Sequence, residues 1–225
     1  MQKTSGLLPV DKRAGCTSFD IVTQLRRVTG ERTIGHAGTL DPFATGVMIL
    51  LIGPLFTKQS MAYTGLDKEY EAELTLGIAT DTYDLEGKVT NQSSHLPTLK
   101  SVEEKLLLFQ GNIFQIPPMF SAKKIQGKKL YEYARQGVLV QRAPIEVTLH
   151  CKIVSYQFPK LLLHIRCSKG TYIRSLANDL GIALGSFAHL TKLRRLKVGP
   201  LAVETCIPQD EINLQTIPNF LKQTL

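Results

Sequence analysis

Among the 225 residues, one stretch concentrates the features of a reactive site: Gly35-His36-Ala37-Gly38-Thr39-Leu40-Asp41-Pro42-Phe43-Ala44-Thr45-Gly46. It sets a single carboxylate, Asp41, on a glycine-punctuated loop just before a strongly apolar run. Glycines admit backbone angles and close approaches that other residues resist, and Pro42 keeps Asp41 out of the helical region. A carboxylate so placed has two readings: a group held out for chemistry by a rigid neighbour, or the start of an Asx-type turn. Spacing alone does not choose between them.

The elements around this loop follow from local patterning. Ser18 before Phe19-Asp20-Ile21-Val22 predicts an N-capped helix, with Ile21, Leu25 and Val28 on one face and Gly30 as its stop. Residues 47–52 form a continuous apolar run closed by Gly53-Pro54, a strand buried on both faces. Residues 55–64 look helical, and 70–76 alternate strictly, so Tyr70 shares an inward face with Ala72, Leu74 and Leu76. Residues 81–87 are polar and turn-rich, and Ser101-Val102-Glu103-Glu104 is a capping-box start for a helix ending near Gly111. Gln115-Ile116-Pro117-Pro118 must be extended, whereas 130–135 can be helical with Gly137 to stop it.

Two further alternating strands carry Ile145, Val147, Leu149, Cys151 and Ile153, and Leu161, Leu163, Ile165 and Cys167. Ser168-Lys169-Gly170-Thr171 then opens a helix with Ile173, Leu176, Ala177 and Leu180 on one face. Arg174 falls in its first turns, where a cation opposes the helix dipole and calls for a partner anion. Residues 190–198 form a last basic strand, followed by a short tail. The expected architecture is one mixed α/β (α+β) domain over 1–225 on a largely antiparallel sheet, with two subdomains sharing that sheet as the variant.

Composition narrows the class. With 43% hydrophobic and 20% charged residues the chain can bury a core of its own. No apolar run approaches the roughly 18 residues a membrane span needs, and Met1-Gln2-Lys3-Thr4-Ser5 leads into no signal-peptide stretch; a cytoplasmic protein is expected. Cys16, Cys151, Cys167 and Cys206 form no CxxC pair or zinc spacing and read as buried free thiols. His95, His150, His164 and His189 lack metal-ligand spacing. The net charge of +8 is clustered. Residues 105–131 hold five lysines and no acid, and residues 180–203 hold Lys192, Arg194, Arg195 and Lys197 and no acid. Two such segments suggest a polyanion footprint, with a solvated basic face as the alternative.

The Asp41 loop resembles the catalytic loop of the pseudouridine synthases of the TruB family. Five more blocks resemble that family in its order: Gly6-Leu7-Leu8-Pro9-Val10-Asp11-Lys12, Asp67-Lys68-Glu69-Tyr70, residues 115–123, Cys167-Ser168-Lys169-Gly170-Thr171-Tyr172-Ile173-Arg174, and Ala188-His189-Leu190-Thr191-Lys192-Leu193-Arg194-Arg195-Leu196. The resemblance implies an isomerase of the T-loop uridine, position 55, of tRNA, with no cofactor and no metal. It implies Asp41 as nucleophile toward either C6 of the base or C1′ of the sugar, Arg174 as the guanidinium that keeps Asp41 ionised and aimed, and Tyr70 as the ring that packs on the uracil. It places Leu193 on the other side of the base, His36 among the bases displaced when the uridine flips out, and Lys12 and Tyr172 in supporting, substrate-binding roles.

The expected partner is the T-arm of tRNA, read by shape and by the basic segments at 123–129 and 194–197, and the expected form is a monomer without guide RNA or membrane attachment. Arg13 stands where the family usually has proline, and Phe120 where tyrosine is common. Many bacterial relatives continue into a PUA-type domain, which is expected to be absent here. The competing classes are an RNA-folding module with secondary catalysis and a guide-dependent synthase.

Overall fold

The computed structural model describes residues 4–224, and the chain forms two compact units. The first comprises the residues up to Glu71 together with those from Leu193 onward; the second is Ala72–Lys192.

The first unit is built around the strand Thr45–Ile52. The side chains of residues 47–52 are fully buried on both faces, as a continuous apolar run requires. One edge pairs antiparallel with Gly6–Lys12, Leu8 opposite Leu50 and Lys12 opposite Gly46. The other edge is shared. Ile34–Ala37 pairs antiparallel with residues 49–52, and the strand Ala188–Val198 joins parallel at Arg194–Thr45 and Arg195–Gly46. Met48, Leu50 and Ile52 pack with Ile21, Val22 and Leu25 of the helix Ser18–Thr29, while Val47, Ile49 and Leu51 pack with Phe56, Tyr63 and Val203. Residues 55–64 are helical in two short pieces, Pro54–Thr57 and Ser60–Thr64.

Residues beyond 200 are more than the short tail that the pattern suggested. Ile207–Pro208 adds a parallel strand beside Gly6–Lys12, and Ile207, Ile212 and Ile217 enter the same core as Leu8 and Leu50. Their spacing follows no helix or strand period, so periodicity could not reveal them.

In the second unit, Ile145–Gln157 pairs antiparallel with Lys160–Cys167 on one side and with Gly111–Gln115 on the other. Along the strand Lys68–Leu76, whose Tyr70 belongs to the first unit, Tyr70, Ala72, Leu74 and Leu76 are buried as alternation predicted, and so is Lys68. The pairing is thus mixed and mostly antiparallel. Two helix starts differ from expectation by one and three residues. Thr17, not Ser18, caps the first helix in a reciprocal box with Asp20, and Thr98, not Ser101, caps Leu99–Leu106. Cys151, Cys167 and Cys206 are buried, but Cys16 is half-buried; burial pushes the Cys151 and Cys206 thiols up to about 12, so both stay protonated and inert.

Candidate active site

The loop at 38–44 joins Ile34–Ala37 to Thr45–Ile52 and is fastened at both shoulders of Asp41. Gly38 makes the initial turn at φ 83°. Leu40 and Ala44 are buried, and Asp41 lies half-buried between them. Ser18, displaced from the capping role by Thr17, reaches Leu40 instead: its Oγ accepts from the Leu40 N–H at 3.0 Å and donates to the Leu40 carbonyl at 3.1 Å. On the far side the Lys12 ammonium donates to the carbonyls of Arg13 (3.0 Å), Pro42 (3.1 Å) and Ala44 (2.7 Å). The Gly15 N–H also reaches Pro42, and the Ala44 N–H closes a turn onto the Asp41 carbonyl. Lys12 is 0% exposed, so its charge faces the loop backbone and not solvent. Burial lowers its pKa, against the opposing pull of Cys16 and Asp41.

Three more expected residues lie in the first unit. His36 is half-buried on Ile34–Ala37, and its Nδ1 has no partner among the described residues. Burial and then the nearby Arg195 charge hold its pKa below the usual histidine value, which favours the neutral ring at pH 7. Tyr70 and Leu193 are each 7% exposed.

Arg174 and Tyr172 lie in the second unit, at the start of the helix Ile173–Ala183. The anion that the helix position demanded is Asp84: its carboxylate stands 3.3 Å from the Arg174 guanidinium, and both are nearly buried. Arg174 also donates to the carbonyls of Thr82 (3.2 Å) and Phe120 (2.8 Å). Asp84 is itself oriented by Thr82 Oγ1 (2.6 Å) and the Glu86 N–H (3.0 Å). It sits in the polar, turn-rich stretch 81–87, so its type and neighbours disguised it. The need for an anion beside Arg174 was the available signal. Tyr172 caps the helix by its backbone, and the buried Gln115 side chain grips it twice, accepting from its N–H at 2.7 Å and donating to its carbonyl at 3.0 Å.

The second acid-free basic segment is paired or buried within the fold. Along Ala188–Val198, Lys192 pairs with Glu73 at 2.8 Å, Arg194 forks onto Asp11 at 2.8 and 3.2 Å, and Lys197 lies 3.9 Å from Glu69. Arg195 is 1% exposed and points inward. Acids distant in sequence thus pair with Lys192, Arg194 and Lys197, and the core takes Arg195. Position 195 shares the strand parity of buried Leu193, which was the signal for it. Among the described residues, no three His, Cys, Asp or Glu side chains are grouped to hold a metal ion, and no helix is long and apolar enough to cross a membrane.

Comparison with known proteins bears on this arrangement. The family model described as "TruB family pseudouridylate synthase (N terminal domain)" matches residues 26–173, and that described as "tRNA pseudouridylate synthase B C-terminal domain" matches residues 174–221. Over 211 residues the chain is 53% identical to the tRNA pseudouridine synthase B of Protochlamydia amoebophila, covering 94% of this chain and 80% of that protein. Over 219 residues it is 50% identical to the namesake of Chlamydia trachomatis serovar L2, covering 97% and 90%. A chain from the crystal structure of a Cbf5-Nop10-Gar1 complex is similar at 26% identity with a TM-score of 0.70, over 90% of this chain and 52% of that one. A chain from an H/ACA RNP bound to a substrate RNA shares the fold at 24% identity, with a TM-score of 0.67, over 92% of this chain and 51% of that one.

Proposed function

The chain belongs to the TruB family of pseudouridylate synthases, and from that premise we propose that it isomerises the T-loop uridine at position 55 of tRNA, with Asp41 as the nucleophile. The observation that carries the reading is the fastening of the Asp41 loop by Ser18 and Lys12 on either side of the carboxylate. A turn that only ended a strand would need no such support, whereas a reacting carboxylate must be held in a narrow range of positions.

The N1–C1′ bond of the uridine breaks, the uracil turns, and C5 bonds to C1′. C5 gives up its proton and N1 holds one in its place, so the product is an isomer and nothing is oxidised. Asp41 supplies the electron pair for a transient covalent bond, at C6 or at C1′. We assign Arg174 to keep that carboxylate ionised; Asp84, Thr82 and Phe120 hold its guanidinium in one orientation. Tyr70 and Leu193 are assigned to the two faces of the uracil, and neutral His36 to the gap left among the displaced bases. Lys12 acts through the loop and not on RNA directly. Tyr172 orders the start of the Arg174 helix. The protein acts on tRNA by itself, as a cytoplasmic monomer; identity of 50–53% to proteins named tRNA pseudouridine synthase B supports this over a guide-dependent assembly.

The test is release of tritium from a tRNA transcript labelled at uridine C5, with the product position mapped and no guide RNA or second protein added. Wild type should turn over. Asp41→Asn and Asp41→Ala should abolish release while leaving tRNA affinity within a few-fold. Persistent turnover in Asp41→Ala overturns the assignment.

A further inference from the structure

We propose that Arg195 and Ser18 are positioning residues for Asp41: together they pin the backbone of residues 38–40, the segment from which the carboxylate hangs. The strand register sets up the contact. Ile34–Ala37 leaves the edge of Thr45–Ile52 at the Ala37–Ile49 pair, and the 188–198 strand takes up the same edge at Arg195–Gly46. The loop from 38 to 44 therefore has to cross the place where Arg195 enters.

Gly46 makes this approach close, with φ 104° and with the site of a Cβ only 2.1 Å from the Arg195 carbonyl oxygen. Arg195 sends its side chain inward and distributes it over three carbonyls. Nε donates to Val47 at 2.6 Å, inside the strand, and Nη2 and Nη1 donate to Gly38 at 3.0 Å and Thr39 at 3.5 Å, on the loop. Ser18 continues the series by holding both backbone groups of Leu40. Three consecutive peptide units before Asp41 are thus tied to elements distant in sequence. Among the described residues Arg195 has no carboxylate partner. A buried guanidinium without one is costly, and only its planar fork reaches strand and loop together.

This inference rests on Asp41 being the reacting group, and the experiment separates the two ideas. Arg195→Met, Arg195→Lys and Ser18→Ala are compared with wild type for single-turnover rate at saturating enzyme, tRNA affinity, and amide exchange of residues 38–44. Arg195→Met should lose about 100-fold in rate and Ser18→Ala about 10-fold, with affinity within about 3-fold in both. Arg195→Lys should recover part of the rate, because an ammonium can still serve one or two carbonyls. Exchange should quicken at residues 38–44 ahead of the rest of the chain. Rates within 3-fold of wild type in both Arg195→Met and Ser18→Ala overturn the proposal, as does a parallel fall of rate and affinity, which would make Arg195 an RNA contact. If Arg195→Met fails to fold, Ser18→Ala and Arg195→Lys decide alone. Were wild type itself inactive on tRNA, the functional reading would fail, and local exchange in the variants would still judge the pinning.

Discussion

Lys128 and Lys129 sit against aromatic rings, whereas the cations of residues 192–197 sit against carboxylates and carbonyls. In the first region, Lys124–Ile125 and Lys128–Lys129 form a tight hairpin through Gln126 and Gly127, both with positive φ, the geometry a two-residue turn requires. Lys128 lies 4.6 Å from the Tyr133 ring centre, and Lys129 and Arg135 each lie 5.3 Å from that of Tyr131. None of these cations makes an ion pair among the described residues. Rings orient a cation without cancelling its charge. In the second region, Glu73, Asp11 and Glu69, all on other strands, pair with the outward cations, and strand parity turns Arg195 into the core. A run of like charge along a chain is therefore no measure of surface potential until the cross-strand partners are known.

That contrast can be broken from either side. The largest effect is expected inside the second region, where Gly46→Ala forces a Cβ into the Arg195 backbone at a φ that suits glycine. It should lower the unfolding free energy by about 3 kcal/mol or more, read from urea denaturation. An unaltered midpoint would show that the strands do not approach as described. Next comes the hairpin. Replacing Lys123, Lys124, Lys128 and Lys129 together by alanine should weaken tRNA binding about 100-fold near physiological salt and reduce the salt dependence by about three counterions. An unchanged slope would remove these lysines from the RNA footprint.

A smaller effect is expected at Glu73. Burial pushes its pKa up, but bonds from Lys160, Lys192 and Thr191 outweigh this and bring it down to about 2 from an ordinary value of 4.5. Because the folded value is the lower one, this carboxylate stabilises the fold above pH 4.5, and the contribution fades as pH falls from 4.5 through about 2. Glu73→Gln should cost about 1 kcal/mol at neutral pH and flatten the acid side of the stability curve, followed by thermal melts across that range. A curve parallel to wild type would deny the pairing. The smallest effect sharpens the contrast: Lys192→Ala with Lys197→Ala should change tRNA affinity by only about 2-fold to 3-fold at the salt where the hairpin variant fails.

Much of this was legible in residue order. The buried strand at 47–52, the alternation through Tyr70, the extended Gln115 segment, the helix after Gly170 and the demand for an anion beside Arg174 all come from periodicity, proline and glycine geometry and the helix dipole. These forces act over a few residues and leave a local trace. Thr17 and Ser18 were harder to separate, since adjacent hydroxyls cap equally well by type, and only the pairing of Thr17 with Asp20 released Ser18 for Leu40.

What tertiary structure alone decided is which distant groups meet. Asp84 joins Arg174 across 90 residues, Arg194 joins Asp11 across 183, and Arg195 reaches Gly38 across 157. Sequence by itself determined where Asp41, the proposed nucleophile, stands in the chain and that its loop enters a buried strand. Strand order and register determined what holds that loop and which charges stay unneutralised. The reason is physical: hydrogen bonds and ion pairs depend on ångström distances set by long-range strand pairing, and a linear pattern carries no record of those distances.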